Sequence, residues 1–98
     1  MNKHSKASHM NHYKRNYAVK LFKTMANANR LKILEMVYAE KNITVNALAK
    51  SLGLSQATVS TQLGRMRREG FIRAKQNGQN MHYSIKDSNI PQLISRIN

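Results

Sequence analysis

The chain has 98 residues, 41% of them apolar, and sets seventeen Lys and Arg against four Asp and Glu, a formal charge of +13. That length fits one domain with a modest core, and such a charge disfavours an isolated compact monomer and favours a polyanionic partner, nucleic acid before an anionic membrane. No apolar run approaches the ~18 residues a bilayer-spanning helix needs, no cysteine is present for disulfides, thiol sensing or thiolate metal sites, and no leading apolar segment reads as a secretory signal, so a cytoplasmic protein is expected.

Residues 1–12 are polar, with three histidines and two lysines, and read as a disordered basic arm. Within it, Ala7-Ser8-His9-Met10 looks like the scar of a cloning vector, which places the natural start near Met10 or later. His9 and His12 share a helical spacing and are candidates for a metal, set against a solvated tail. Residues 13–98 read as one domain without linker or repeat.

From Tyr13 to Met25 the pattern is helical, with Tyr17, Leu21 and Met25 as one stripe and Ala18 and Phe22 beside it. Asn27 or Asn29 then caps a second helix. Leu31, Leu34, Val37 and Tyr38 give that helix an apolar face, widened by Ile33 and Met36, as expected of a central helix. Glu40-Lys41-Asn42 closes it. Thr44 is the expected cap of a third helix, whose face is Leu48 and Leu52. Gly53 ends that helix, because glycine reaches the left-handed conformation at no steric cost.

Ser55 is a good cap for a fourth helix, in which Val59, Leu63 and Met66 form a buried stripe. Wound at about 100° per residue, this leaves Ala57, Thr61, Gly64 and Arg68 outward, flanked by Ser60 and Arg65. Two helices joined by so short a turn, the second with a small polar outer face, read as a helix-turn-helix. After Gly70 the period changes to two. Phe71 to Gln76 and Met81 to Ile85 read as strands, with Asn77-Gly78 as the turn and Gln79 and Asn80 lengthening the loop. A hairpin directly after a recognition helix is a wing. Asp87 or Ser88 caps a last helix with Pro91 in its first turn, and Ile90, Leu93, Ile94 and Ile97 form a stripe that needs a partner. The expected fold is therefore mostly α with a small β-hairpin, in the order α-α-α-α-β-β-α, a dimeric winged helix-turn-helix.

Catalysis finds no support. Glu35, Glu40, Glu69 and Asp87 suit helix surfaces or caps, no glycine-rich phosphate loop exists, and His82 lacks a sequence-local partner. Contact with double-stranded DNA draws on several features together. Gln56, Ala57, Ser60 and Thr61 occupy the turns of the fourth helix that approach base edges. Gln pairs with adenine, Ser and Thr with several bases, and Ala or a Thr methyl meets the thymine methyl. Ser55 and Gln62 border this face. Arg65 and Arg68 point outward and suit phosphates, whereas Arg67 lies nearer the core. Each residue taken alone is also an ordinary solvated helix position. Gly64 costs about 1 kcal/mol in a helix interior; close approach to DNA and helix packing are both reasons to keep it. In the wing, Arg73, Lys75 and Gln79 suit the minor groove or its phosphates.

These stretches are similar to the ArsR/SmtB winged-helix repressors. Leu21 to Leu34 resembles that family's approach to its second helix, Leu54 to Leu63 its recognition-helix signature, and Arg68 to Ile72 with Tyr83 to Ile85 its wing strands. The resemblance implies a homodimer built by the first and last helices. It agrees with a dimer interface of Tyr17, Leu21, Met25, Ile90, Leu93, Ile94 and Ile97, and with a pseudo-palindromic operator. It also exposes departures. The positions matching the family's Cys-x-Cys metal ligands are Thr44 and Asn46. In the last-helix site Asp87 matches, but Asn89 replaces a histidine. No metal or other cofactor is expected. The alternatives are a winged-helix protein-interaction module and a metal sensor using His4, His9, His12 or His82.

Overall fold

A computed structural model describes residues 9–98, so the expectation for the arm is tested only at its end. The elements are α1 (His12–Met25), α2 (Ala28–Glu40), β1 (Ile43–Thr44), α3 (Val45–Leu52), α4 (Gln56–Arg68), β2 (Ile72–Asn77), β3 (Asn80–Ile85) and α5 (Asn89–Ile97). The first helix begins inside the segment assigned to the arm. Asn11 caps it, its side chain accepting from the Lys14 amide at 2.8 Å.

Side-chain caps account for most other helix starts. Asn27 accepts from the Arg30 amide at 3.0 Å, Thr44 from Ala47 at 3.2 Å and Ser55 from Thr58 at 3.0 Å, each satisfying one free donor of a first turn. For α5, Asp87 does this work, accepting from the Asn89 amide at 2.9 Å. Gly53 adopts φ +67, and behind it the Leu54 amide reaches back to the Ala49 carbonyl at 3.0 Å, so α3 stops abruptly and three residues turn the chain into α4. Arg30 closes α1 from outside. Its Nε donates to the Thr24 carbonyl at 3.0 Å and its Nη2 to the Lys23 carbonyl at 3.1 Å, placing positive charge at the negative end of the helix.

The core is shared by all five helices and the sheet. Leu21, Ile33, Leu34, Val37, Leu48, Val59, Leu63, Met66, Phe71, Ile72 and Ile90 are nearly without exposure, joined by Ile43 and Tyr83. The stripe of α4 is buried as its spacing predicts. Two helices bury sets of residues that differ from expectation. On α1 the buried side is Ala18, Leu21 and Thr24, while Phe22 is exposed. On α2, Ile33 joins Leu34 and Val37 inside, and Tyr38 stands outside. Thr24 tolerates burial because its hydroxyl donates to the Lys20 carbonyl at 2.9 Å and lies 3.4 Å from Glu69 Oε1.

The hairpin gains a third strand that the sequence pattern did not reveal. β1 pairs antiparallel with β3, Ile43 opposite Tyr83 and Thr44 opposite His82, giving the order β1-β3-β2. His82 Nδ1 donates to the Asn42 carbonyl at 2.7 Å and fastens this edge. The wing turn is also tighter than expected. Asn77 pairs with Asn80, so only Gly78 and Gln79 form the loop, and Gly78 takes φ +67 at the first central position, where a type II′ turn asks for glycine.

Tyr17 ties α1 to the start of α5. Its hydroxyl donates to Asp87 Oδ2 and accepts from Asn89 Nδ2 at 2.9 Å, and its ring leans on Phe71. Partial desolvation of the hydroxyl where it meets α5, followed by the Asp87 hydrogen bond, raises its pKa above the usual tyrosine value although the residue as a whole stays exposed; the Asn89 donor opposes this, and the Asp87 charge adds to the rise. The fold therefore favours the neutral phenol. That stabilisation is complete below the unfolded-chain value near pH 10 and is lost as pH climbs through the folded value. A phenolate absorbance titration of the folded protein is expected to contain a component beyond the ordinary tyrosine range, absent from Tyr17→Phe. Identical titration curves, apart from amplitude, would refute the assignment.

Candidate nucleic-acid interface

The outer face of α4 is solvent-exposed along its reading turns. Gln56, Ala57, Ser60 and Thr61 are all exposed, and the side chains of Gln56, Ser60 and Thr61 hold no hydrogen bond within the described chain. Ser55 is placed differently. Its hydroxyl accepts from the Thr58 amide and donates to Thr58 Oγ1 at 2.9 Å, so it orders the helix start and has little left to offer a base. Gln62 is half-buried, and its Oε1 is buried without a partner.

Cations continue the face. Arg65, Arg67 and Arg68 fill the last turn of α4. Arg67 is exposed, contrary to the expectation that it leans on the core. Arg65 makes a loose 4.0 Å contact with Glu69, worth little at an exposed site. On β2, Arg73 and Lys75 alternate with the half-buried Ala74, so both lie on the outer side of the hairpin. Gln79 sits exposed in the wing turn. The fold thus carries the residues named from sequence on α4 and the wing, two successive elements joined through Gly70 and Phe71.

The proposed dimer residues separate into two groups. Leu21 and Ile90 are 2% and 0% exposed within a single chain. They belong to the protomer's own core and cannot also face a partner. Tyr17 is exposed, Met25, Leu93 and Ile94 are half-buried, and Ile97 is 89% exposed. The structure adds exposed Val19 and Phe22 on α1. The sequence sets Phe22 beside the stripe and Val19 outside it, and both lie outside the protomer core.

Thr44 Oγ1 is engaged by the Ala47 amide, and Asp87 and Asn89 by Tyr17. Among the described residues, no three His, Asp or Glu side chains come together in a way that could hold a metal ion. No helix among them is long and apolar enough to cross a membrane.

A helix-turn-helix followed by a hairpin, with a cationic outer face on both, defines a winged-helix DNA-binding domain. Residues 27–73 match a family model described as winged helix-turn-helix DNA-binding. Over 78 residues, 80% of this chain and 78% of the relative, the sequence is 37% identical to the transcriptional repressor PagR of Bacillus anthracis. It is 34% identical over 77 residues to the transcriptional activator HlyU of Vibrio cholerae, covering 79% of this chain and 70% of HlyU. The solved HlyU structure superposes with a TM-score of 0.81 at 31% identity, over 90% of this chain and 94% of that one. The chain spans 65% of the length of another curated relative, the Mycobacterium tuberculosis regulator Rv0081, at 35% identity over 74 residues. The chain belongs to the winged helix-turn-helix DNA-binding transcriptional regulators.

Proposed function

We propose that the protein acts in the cytoplasm as a homodimeric repressor on a pseudo-palindromic operator, with α4 in the major groove and the wing at the minor groove. The observation that carries this reading is the run of exposed, unengaged Gln56, Ser60 and Thr61 leading into Arg65, Arg67 and Arg68. Bare polar groups at base-reading positions followed by phosphate-binding ones match the division of labour in major-groove recognition. Dimerisation places two such helices about 34 Å apart, one helical turn of duplex. The apolar surface of α1 and α5, outside the core, is the face available for it. Repression needs only occupancy of the duplex, and PagR is named a repressor; HlyU, an activator, leaves the sign to promoter position. Metal has no part in this reading, since Thr44, Asp87 and Asn89 are already engaged within the fold.

Duplexes selected from a random pool are expected to show two-fold symmetry and to saturate with one dimer each at moderate salt. The logarithm of affinity should fall linearly with that of salt, with a slope of about −5 for six neutralised phosphates. Failure to saturate on any short duplex would favour a protein-docking module instead.

A further inference from the structure

We propose that Tyr17 is a positioning residue for operator recognition. Its hydroxyl ties the two helices that carry the dimer face to the root of the wing, and so sets the spacing at which a dimer reads its two half-sites. The proposal rests on the homodimer reading above and names what holds the DNA-reading elements at a fixed angle to the dimer helices.

Tyr17 shares α1 with the outward Val19 and Phe22. Its hydroxyl crosses to the head of α5, donating to Asp87 Oδ2 and accepting from Asn89 Nδ2 at 2.9 Å. Asp87 uses its other oxygen to cap α5, at 2.9 Å from the Asn89 amide. The backbone of Asp87 belongs to the wing. The Lys86 and Asp87 amides, directly after β3, both donate to the Phe71 carbonyl, at 3.0 and 3.1 Å. The Phe71 amide donates in turn to the Met66 carbonyl of α4 at 3.0 Å. Phe71 is therefore the point where α4 ends, β2 begins and β3 returns. It is 1% exposed, and its ring centre lies 6.5 Å from that of Tyr17. Tyr17 thus reaches this junction twice, by its ring directly and by its hydroxyl through Asp87. Apolar packing is non-directional and tolerates a small rotation of one unit on another, whereas a hydrogen bond weakens steeply off line and a carboxylate acceptor strengthens it. The hydroxyl supplies that direction. A small rotation at the junction is magnified at two recognition helices that must sit about 34 Å apart. Phenylalanine at this position keeps the ring on Phe71 and loses both hydrogen bonds, so positioning is separable from packing.

The test compares wild type, Tyr17→Phe, Asn89→Ala, Asp87→Ala and the Tyr17→Phe/Asp87→Ala pair. Each is titrated on a selected operator, on operators with one base pair added or removed at the centre, on a single half-site and on random duplex. Sedimentation equilibrium is run alongside. Tyr17→Phe is expected to stay dimeric and to bind the selected operator about tenfold more weakly, the loss of a charge-assisted hydrogen bond. Its affinity for either altered spacing should stay within about twofold, since a loosened junction lacks the preorganisation that favoured one spacing. The preference for the selected spacing therefore shrinks about tenfold. Affinity for the half-site and for random duplex, and the salt slope, should not change, because no phosphate contact is lost. Asn89→Ala, which leaves α1 untouched, should move the spacing preference the same way by less. The paired variant should lose clearly less than the sum of its two parts, since both remove one hydrogen bond. A wild-type spacing preference in Tyr17→Phe, equal losses on every duplex, additive losses in the pair, or a monomeric Tyr17→Phe would overturn the positioning role while leaving DNA binding intact. A wild-type chain that binds only as a monomer, or saturates no duplex, would overturn it together with the homodimer reading beneath it.

Discussion

Phe22→Asp combined with Ile97→Asp is expected to give a folded monomer that binds its operator about 10²–10⁴-fold more weakly than the dimer. Both side chains are largely outside the protomer core, Phe22 53% and Ile97 89% exposed, so a carboxylate at either site stays in water while the chain is alone. A two-fold interface uses each position twice. Burying what two Phe and two Ile side chains still expose contributes about 4–9 kcal/mol, a large part of the association energy of an ordinary dimer. Four aspartates in their place remove that contribution and add like-charge repulsion. The affinity loss follows from separating two half-site contacts that the dimer makes together. Sedimentation equilibrium reads the mass, circular dichroism the fold, and titration of a two-half-site duplex the affinity. An intact dimer at micromolar concentration would show that α1 and α5 do not form the interface. The choice of residues matters. Leu21→Asp or Ile90→Asp, at stripe positions also assigned to the interface from sequence, would put a charge inside the protomer core and unfold it, which says nothing about association.

What was legible in the sequence was what local chemistry decides. Asn27, Thr44 and Ser55 cap helices because each can answer an amide within its own first turn. Val59, Leu63 and Met66 are buried because α4 offers them one narrow stripe. The hairpin followed from alternation and a glycine turn. The differences arise where a distant partner decides. β1 is two residues long, too short for any period, and exists because β3 presents an open edge and His82 holds Asn42. On α1 an apolar residue, Phe22, and a polar one, Thr24, trade places relative to the pattern. Glu69 at the end of α4 and the Lys20 carbonyl offer the Thr24 hydroxyl partners, while Phe22 falls outside the protomer core. Nor does Arg30 announce from sequence that it closes α1, since its acceptors, Lys23 and Thr24, are backbone carbonyls. In the interface the same division holds. The outward face of α4 was readable from its angular spacing, but that Ser55 is tied to Thr58, and that Arg67 stands exposed, required the fold.

Gln56→Ala is expected to lower affinity for the selected operator at least about 30-fold and leave random-duplex binding unchanged. Gln56 is the first residue of α4, is exposed, and forms no side-chain hydrogen bond in the described chain, so its amide reaches a base edge without giving up an internal contact. A bidentate glutamine–adenine pair discriminates by about 1–3 kcal/mol per base pair; a symmetric operator meets the residue twice, so about 2–6 kcal/mol is at stake, a loss of at least about 30-fold. Alanine keeps helix propensity, and the cap at Ser55 is untouched, so Tm should stay within a degree or two. Ser55→Ala provides the contrast. It removes the hydroxyl that accepts from the Thr58 amide and should cost about 1 kcal/mol of stability, weakening all duplexes alike through the helix start. Competition titrations with operator and random duplex, run on both variants, separate base reading from helix ordering. Equal losses on the two duplexes with Gln56→Ala would place Gln56 on the phosphates and move base discrimination to Ser60 and Thr61.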